Sequence, residues 1–169
     1  FDYDKLLWFN GEYIRKLNFE AFYALAESYL KQVLSSNFNL AAVGRLLQGR
    51  IQKLSEIPAM IDFIAALPDY DPALFTHKKN KTNPELAAKI LAAAQPLLTS
   101  LTDWNNDLLY EKLQNLAREL EIKSGAVMWV IRIAVAGKAA TPGGATEIME
   151  LLGQTESLQR LQLAQSKLS

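Results

Sequence analysis

The sequence predicts an all-α protein, and three observations support this fold class. Apolar residues recur at helical spacing through most of the chain. Residues that favour helix N-termini, such as Asn18 and Asn83, stand directly before several of these periodic segments. Half of the 169 residues are apolar, so the chain can bury a sizeable core.

The first helices are predicted from their apolar faces and their ends. One runs from Asp4 to Leu17, and Asn18 is the expected cap of a second helix, whose apolar positions continue to Val33. A third spans residues 39–48. It stops at Gly49, a residue type suited to the left-handed position that follows many helices.

The middle of the chain contains two further helices and the clearest loop. Ser55 is the expected cap of a helix that reaches about Ala66, with Pro58 in its first turn, where a missing N–H group costs little. Residues 69–84 are rich in Asp, Asn, Pro and Lys, which predicts a loop. Asn83 then begins a helix of about fifteen residues.

The last third is predicted to be helical as well. Thr102 or Asp103 is the expected cap of one helix, and residues 157–168 form the final amphipathic one. Residues 127–135 are rich in β-branched side chains, which favours a strand. No convincing strand partner exists elsewhere, and Gly137 lies where a helix would end, so we predict a buried helix here.

Basic and acidic residues are segregated along a chain that has no net charge. Ten of the eighteen Lys and Arg residues fall in three windows, 28–55, 72–84 and 122–146, which contain none of the eighteen acidic residues. This pattern favours a surface for an anionic partner, although plain solvated faces explain it equally well from charge alone.

Motifs for catalysis and metal binding are missing from the sequence. The chain contains no Cys, which excludes a Cys-based zinc site and favours an intracellular protein. The single His, His77, lies in a polar segment and is interpreted as a surface residue. No P-loop occurs, and no apolar run approaches the ~18 residues that a membrane span requires. We therefore predict no active site and no metal site.

Several large side chains suit either the core or a ligand. Arg132 interrupts an apolar run, so it forms either an ion pair with Glu119 or Glu147 or a groove-facing contact to phosphate or a base edge. Arg50 follows a helix end, where it is either a partner of the helix dipole or a recognition residue. The three tryptophans are interpreted as core anchors rather than stacking platforms for bases: Trp8, Trp104 and Trp129.

Separate elements along nearly the whole chain resemble bacterial glutamyl-tRNA synthetases. Residues 5–15 are similar to the segment that follows the signature lysine loop of that family. Residues 50–58 are similar to its R-x-x-x-L-x-E-x-P element, and residues 116–137 and 141–153 resemble its C-terminal signature in order and spacing.

The resemblance implies the C-terminal part of a class I synthetase. Residues 1–17 would end the stem-contact region, and two helical bundles, 18–96 and 97–169, would bind the tRNA anticodon. The HIGH-type and KMSKS-type motifs are missing, so this chain alone is expected to be inactive and to need no cofactor. The parent enzyme would use ATP and magnesium to attach glutamate to tRNA. We expect a cytoplasmic monomer that binds glutamate tRNA, with glutamine tRNA left open as a second partner.

The resemblance also implies roles for individual residues. Arg50 matches an Arg that contacts the third anticodon base, a cytosine, whose adjacent acceptors suit a guanidinium fork. Arg132 and Thr141 match positions that face the other anticodon nucleotides. Together with the basic windows, this gives the expected anticodon contacts Arg50, Lys53, Arg132, Lys138, Thr141, Pro142 and Gly143. Contacts to the RNA backbone are expected from Arg45, Lys78, Lys79, Lys81 and Lys123.

Two other classes of protein fit parts of the sequence. A helical protein–protein interaction module without nucleic-acid binding would also be neutral and poor in motifs, but it would not need three acid-free windows. A freestanding small enzyme fits least, because no acid–base or nucleophile constellation exists. Salt-sensitive binding of tRNA separates the first interpretation from both alternatives.

Overall fold

A computed structural model describes every residue from Phe1 to Ser169. It contains nine α-helices and no strand, which confirms the all-α prediction. The α-helices are α1 (Tyr3–Lys16), α2 (Phe19–Lys31), α3 (Leu40–Leu47), α4 (Ile57–Ala65), α5 (Pro84–Thr99), α6 (Asn106–Glu119), α7 (Ser124–Ala136), α8 (Ala145–Leu152) and α9 (Gln154–Leu168). Two 3₁₀ helices span Leu54–Glu56 and Pro72–Phe75. None of the helices is long and apolar enough to cross a membrane.

The chain forms two compact units, Phe1–Ala66 and Leu67–Ser169. The division near residue 96 that the resemblance implied falls inside α5. That helix packs against α6, α7 and α9, and it buries Ile90, Leu91 and Leu98 completely. All of α5 therefore belongs to the second unit.

Helix α2 is the centre of the first unit, where it packs against α3, α4 and the 3₁₀ helix Leu54–Glu56. Phe22, Ala26 and Leu30 recur every four residues and are fully buried, as one apolar face requires. The predicted cap is confirmed, since the Asn18 side chain accepts a hydrogen bond from the Ala21 N–H at 2.8 Å. Trp8 on α1 is 52% exposed, so its interpretation as a core anchor is wrong within this unit.

The two predicted helix ends in the first unit differ in outcome. Helix α3 ends at Leu47 with Gln48 as its last cap residue, directly before Gly49 as predicted, although Gly49 does not adopt the left-handed conformation. Ser55 caps nothing, since it lies inside the 3₁₀ helix Leu54–Glu56, which continues directly into α4. Pro58 does occupy the first turn of α4, as predicted.

Helix α7 is the centre of the second unit and packs against α5, α6, α8, α9 and the 3₁₀ helix Pro72–Phe75. The predicted helix is confirmed here despite the β-branched residues. Because Val127, Val130 and Ile131 are all fully buried, tertiary packing outweighs their strand propensity. Gly137 ends the helix with a φ of 64°, a left-handed conformation that glycine adopts without strain.

The caps of α5 and α6 show how far local signals reach. Asn83 caps α5 as predicted, accepting from the Leu86 N–H at 2.8 Å. Helix α6 is capped by Asn105, whose side chain accepts from the Leu108 N–H at 3.0 Å, and not by Thr102 or Asp103. Residues 102–105 offer three good capping types, so residue type alone does not select among them.

Candidate nucleic-acid interface

Arg50 lies exposed on a tight turn directly after α3. Its Nη1 donates to the Leu46 carbonyl at 2.7 Å, which satisfies one of the free carbonyls at the end of the helix. The other guanidinium donors have no partner in the protein. The helix-terminal role and the recognition role are therefore compatible, because one arm of the fork is used and the rest is available.

The spacing of residues in the turn element 50–58 has a structural explanation. In the pattern R-x-x-x-L-x-E-x-P, the Glu is Glu56, whose Oε2 accepts from the Gln52 N–H at 3.1 Å and so closes the turn. The Asn10 side chain of α1 donates to the Gln52 carbonyl. The sequence analysis missed the contacts of both residues. No local pattern indicates the role of Asn10, whereas the position of Glu56 in the R-x-x-x-L-x-E-x-P element could have indicated its role.

The remaining basic residues of the first unit differ in availability. Lys53 is exposed next to the Arg50 turn. The Arg45 guanidinium lies 3.9 Å from the centre of the Phe19 ring, a cation–π contact that leaves it at the surface. Lys31 pairs with Glu27 at 2.7 Å, so it contributes less to the positive field than the sequence window suggested.

In the second unit, one face of α7 is only half-buried. This face carries Gly125, Met128, Trp129 and Arg132, which are spaced as residues on one side of a helix. The 3₁₀ helix Pro72–Phe75 and the segment after it pack on this face: the Trp129 indole N–H donates to the Leu74 carbonyl at 3.3 Å, and the His77 ring lies 4.1 Å from the Trp129 ring. His77, predicted to be a surface residue, is half-buried and packs on Trp129.

This packing brings two of the three acid-free windows together. Lys78, Lys79 and Lys81 are exposed on the loop that His77 anchors. Lys81 has a φ of 55°, which turns the chain back toward α5. Lys81 and Lys123 line one cavity of about 220 Å³ with Glu121. Basic side chains from windows 72–84 and 122–146 therefore share one surface of the second unit.

Arg132 has the most unusual environment of the predicted site residues. No carboxylate lies within ion-pair distance, so the ion pair with Glu119 or Glu147 is wrong; the Glu147 side chain instead accepts from the Gly144 N–H at 3.0 Å. Arg132 makes one long contact, from Nη1 to the Ala139 carbonyl at 3.5 Å. Its Nε is buried without a hydrogen-bond partner, which is rare for a buried donor.

The segment after α7 forms a tight turn. The Thr141 hydroxyl donates to the Gly143 carbonyl at 2.8 Å, and the Gly143 N–H donates back to the Thr141 carbonyl at 3.0 Å. Pro142 and Gly143 are buried, whereas Thr141 and Lys138 are half-buried. RNA contacts from this segment stay predictions, and they would involve Thr141 more directly than Pro142 or Gly143.

Two buried polar residues of the second unit are structural. Arg160 is 2% exposed, and its guanidinium donates to Glu156 and to the Val135 carbonyl, each at 2.7 Å. Burial, together with the nearby Asp69 carboxylate, raises the pKa of Tyr70 to about 12, so its phenol stays neutral at physiological pH. Sequence analysis missed Arg160, because an i,i+4 Glu–Arg pair is ordinary on an exposed helix.

A helical fold with exposed arginines and lysines on rigid turns defines a candidate nucleic-acid-binding domain. Residues 21–165 match the family described as "Anticodon binding domain". The chain belongs to this family of anticodon-binding domains.

Individual relatives are similar over nearly the whole chain. A glutamate–tRNA ligase of Clostridium tetani is 46% identical over 168 residues, which cover 99% of this chain and 34% of the relative. A glutamate–tRNA ligase of Clostridium acetobutylicum is 42% identical over 169 residues, which cover 99% of this chain and 35% of the relative. The chain thus spans about a third of the length of these curated relatives.

Solved structures share the fold. A crystal structure of the glutamate–tRNA synthetase from Elizabethkingia anophelis matches with a TM-score of 0.78 at 21% identity, over 98% of this chain and 32% of that one. A glutamate–tRNA ligase from Elizabethkingia meningosepticum in complex with its amino acid matches with a TM-score of 0.80 at 22% identity, over 100% of this chain and 33% of that one.

Proposed function

We propose that this chain binds the anticodon arm of a tRNA and supplies anticodon recognition to a longer glutamate–tRNA ligase. The observation that carries the proposal is the state of Arg50, an exposed guanidinium on a rigid turn with one arm bonded to Leu46 and its other donors unused. Membership of the anticodon-binding domain family supports the same function.

The chemistry of the proposed contact is direct. Bases of an RNA loop that are splayed out of the stack expose their Watson–Crick edges, and cytosine offers adjacent O2 and N3 acceptors. A guanidinium donates two parallel hydrogen bonds to such a pair, whereas guanine presents N–H donors on the same edge and repels it. Anticodons for glutamate codons end in C and those for glutamine codons end in G. Arg50 therefore favours glutamate tRNA as the partner over glutamine tRNA.

The second unit carries candidate RNA contacts of its own. Lys78, Lys79 and Lys81 are placed to neutralise backbone phosphates, because they are exposed on a loop without acidic residues. The Arg132 guanidinium makes a single long contact, from Nη1 to the Ala139 carbonyl at 3.5 Å, so its terminal N–H donors are available to a phosphate or a base. Thr141, nine residues after Arg132 in the sequence, adds a half-buried hydroxyl group to the candidate RNA contacts of this unit.

Amino-acid activation is proposed to lie outside these 169 residues. The relatives are ligases about three times as long, and this chain has neither nucleotide-binding motif of class I catalysis. ATP and magnesium would then act in the remainder of the protein. The share of this chain, acting as a monomer, is to hold and read the anticodon arm.

The alternative, a helical module that binds proteins, is favoured by one observation. Leu6, Phe9 and Tyr13 of α1 are each about half-exposed or more and follow one another along the helix. Such a row suits a protein contact. It does not account for the basic surfaces, and the two functions differ in their dependence on salt.

Binding of an anticodon arm should be weak and should fall with salt. We expect a log–log slope of roughly −0.7 to −0.9 for each phosphate that is neutralised. Lys53→Ala should reduce the magnitude of this slope by the contribution of about one phosphate, and it should weaken binding of all RNA sequences equally. The measurement is fluorescence anisotropy at several salt concentrations.

Lys89→Ala is the matched control, because Lys89 is an exposed lysine outside the three windows. It should leave the slope unchanged. An affinity that does not depend on salt would contradict the proposed function and support the protein-binding alternative.

A further inference from the structure

The turn that carries Arg50 is held by side chains that lie outside it. Gln52, two residues after Arg50, has both polar backbone groups bound: its N–H donates to Glu56 Oε2 at 3.1 Å, and its carbonyl accepts from Asn10 Nδ2 of α1. Both backbone groups of this loop residue are thus fixed by side chains rather than by secondary structure.

The other side of the turn is equally constrained. The N–H groups of Arg50 and Ile51 both donate to the Leu47 carbonyl, at 2.8 and 3.2 Å, and the Ile51 side chain is fully buried. Gln48 ties the end of α3 to the end of α1, since its Nε2 donates to the carbonyls of Ile14 and Leu17 at 3.1 and 2.9 Å. The backbone of Arg50 is therefore positioned by α1 as well as by α3.

We propose that Asn10 and Glu56 are positioning residues that make base reading by Arg50 selective, an inference that rests on the proposed function. A long, exposed side chain discriminates between bases only when its backbone is held in place, because hydrogen bonds weaken steeply with distance and angle. The side chains of Asn10 and Glu56 are hydrogen-bonded to the backbone of Gln52, so they act through the backbone and not on the RNA.

The test compares the affinity of the 169-residue chain for two synthetic anticodon arms that differ only in the third anticodon base, C or G. Asn10→Ala and Glu56→Ala should each reduce the C-over-G affinity ratio at least about threefold, a partial loss of the roughly 5- to 150-fold that a bidentate contact is worth. Glu56→Gln should keep the ratio, because its amide oxygen still accepts from the Gln52 N–H. Any general gain in RNA affinity from the lost charge cancels in the ratio.

Hydrogen exchange tests the geometry without RNA. Exchange of the Gln52 amide should be faster in Glu56→Ala than in the wild type and nearly unchanged in Glu56→Gln. Unchanged exchange in Glu56→Ala would show that the carboxylate does not hold this backbone, and it would overturn the inference for Glu56.

Asn18→Ala is the matched control for loss of stability. It removes the cap of α2 in the same unit but leaves every contact of the Arg50 turn in place. Its melting temperature should fall like that of Asn10→Ala, while its C-over-G ratio stays at the wild-type value. An equal loss of selectivity in Asn18→Ala would overturn the positioning role.

The remaining outcomes separate this inference from the proposed function. If the wild type prefers C, Arg50→Gln loses that preference, and Asn10→Ala and Glu56→Ala retain it, then the positioning role is overturned and the proposed function stands. If the wild type binds both arms equally, base reading by Arg50 fails and the positioning role fails with it.

Discussion

Arg50→Gln is expected to remove most of the preference for a cytosine at the third anticodon position while leaving the fold intact. A bidentate contact from Arg to a base is worth about 1–3 kcal/mol of discrimination, or roughly 5- to 150-fold in the affinity ratio. Gln can both donate and accept one hydrogen bond, so guanine should become tolerated. The measurement is the affinity of the chain for anticodon arms ending in C or G, followed by charging of the two tRNAs by the full-length protein.

The fold should survive because Arg50 is exposed and makes a single bond to a helix-terminal carbonyl. Arg45→Gln is the matched control: it removes another exposed guanidinium from the same unit, one that lies over Phe19. It should weaken binding of both arms without changing their ratio. An unchanged ratio in a folded Arg50→Gln variant would assign Arg50 only to the end of α3.

The second large effect contrasts two arginines of the second unit. Arg160→Met should lower the free energy of unfolding by about 2–3 kcal/mol, because the Val135 carbonyl loses its buried donor and Glu156 loses its partner. Arg132→Met should change it by less than about 1 kcal/mol, since it removes a buried Nε that has no partner to lose. Urea unfolding followed by circular dichroism measures both.

RNA binding should respond in the opposite way. Arg132→Met should weaken binding of the anticodon arm, although its free energy of unfolding stays within about 1 kcal/mol of the wild-type value. Stability losses of equal size in the two variants would show that Arg132 is a structural residue. That result would withdraw it from the proposed interface.

The helices could be predicted from sequence because their signals are local. Asn18 and Asn83 precede apolar periodic segments and cap them, as their residue type indicates. The helix over residues 124–136 required one further step, since its β-branched composition favours a strand until the lack of a partner and Gly137 are considered.

The apolar face of α1 shows where periodicity stops being informative. The sequence gives this helix a broad apolar face, yet only Gly11 and Ile14 are buried within the structure. A periodic pattern indicates which residues could be covered, not whether another element covers them. For this reason the prediction that Trp8 is a core anchor was wrong.

The interface was predictable in its residue types but not in its arrangement. Charge segregation identified the basic windows, but the convergence of windows 72–84 and 122–146 depends on the packing of His77 on Trp129 across 52 residues of sequence. The bond from Asn10 to Gln52 spans 42 residues and joins a side-chain amide to a backbone carbonyl, neither of which a periodic pattern marks. Contacts of this kind follow from tertiary structure, which local signals do not determine.

The most direct test of anticodon recognition is the affinity of the 169-residue chain for a glutamate anticodon arm, compared with the same stem closed by a loop of the same length and unrelated sequence. Both RNAs carry the same helical stem, so a chain that binds only phosphates has no reason to prefer either. We predict at least about tenfold tighter binding of the anticodon arm, which corresponds to about 1.4 kcal/mol from base contacts. Equal affinities for the two RNAs would contradict the account.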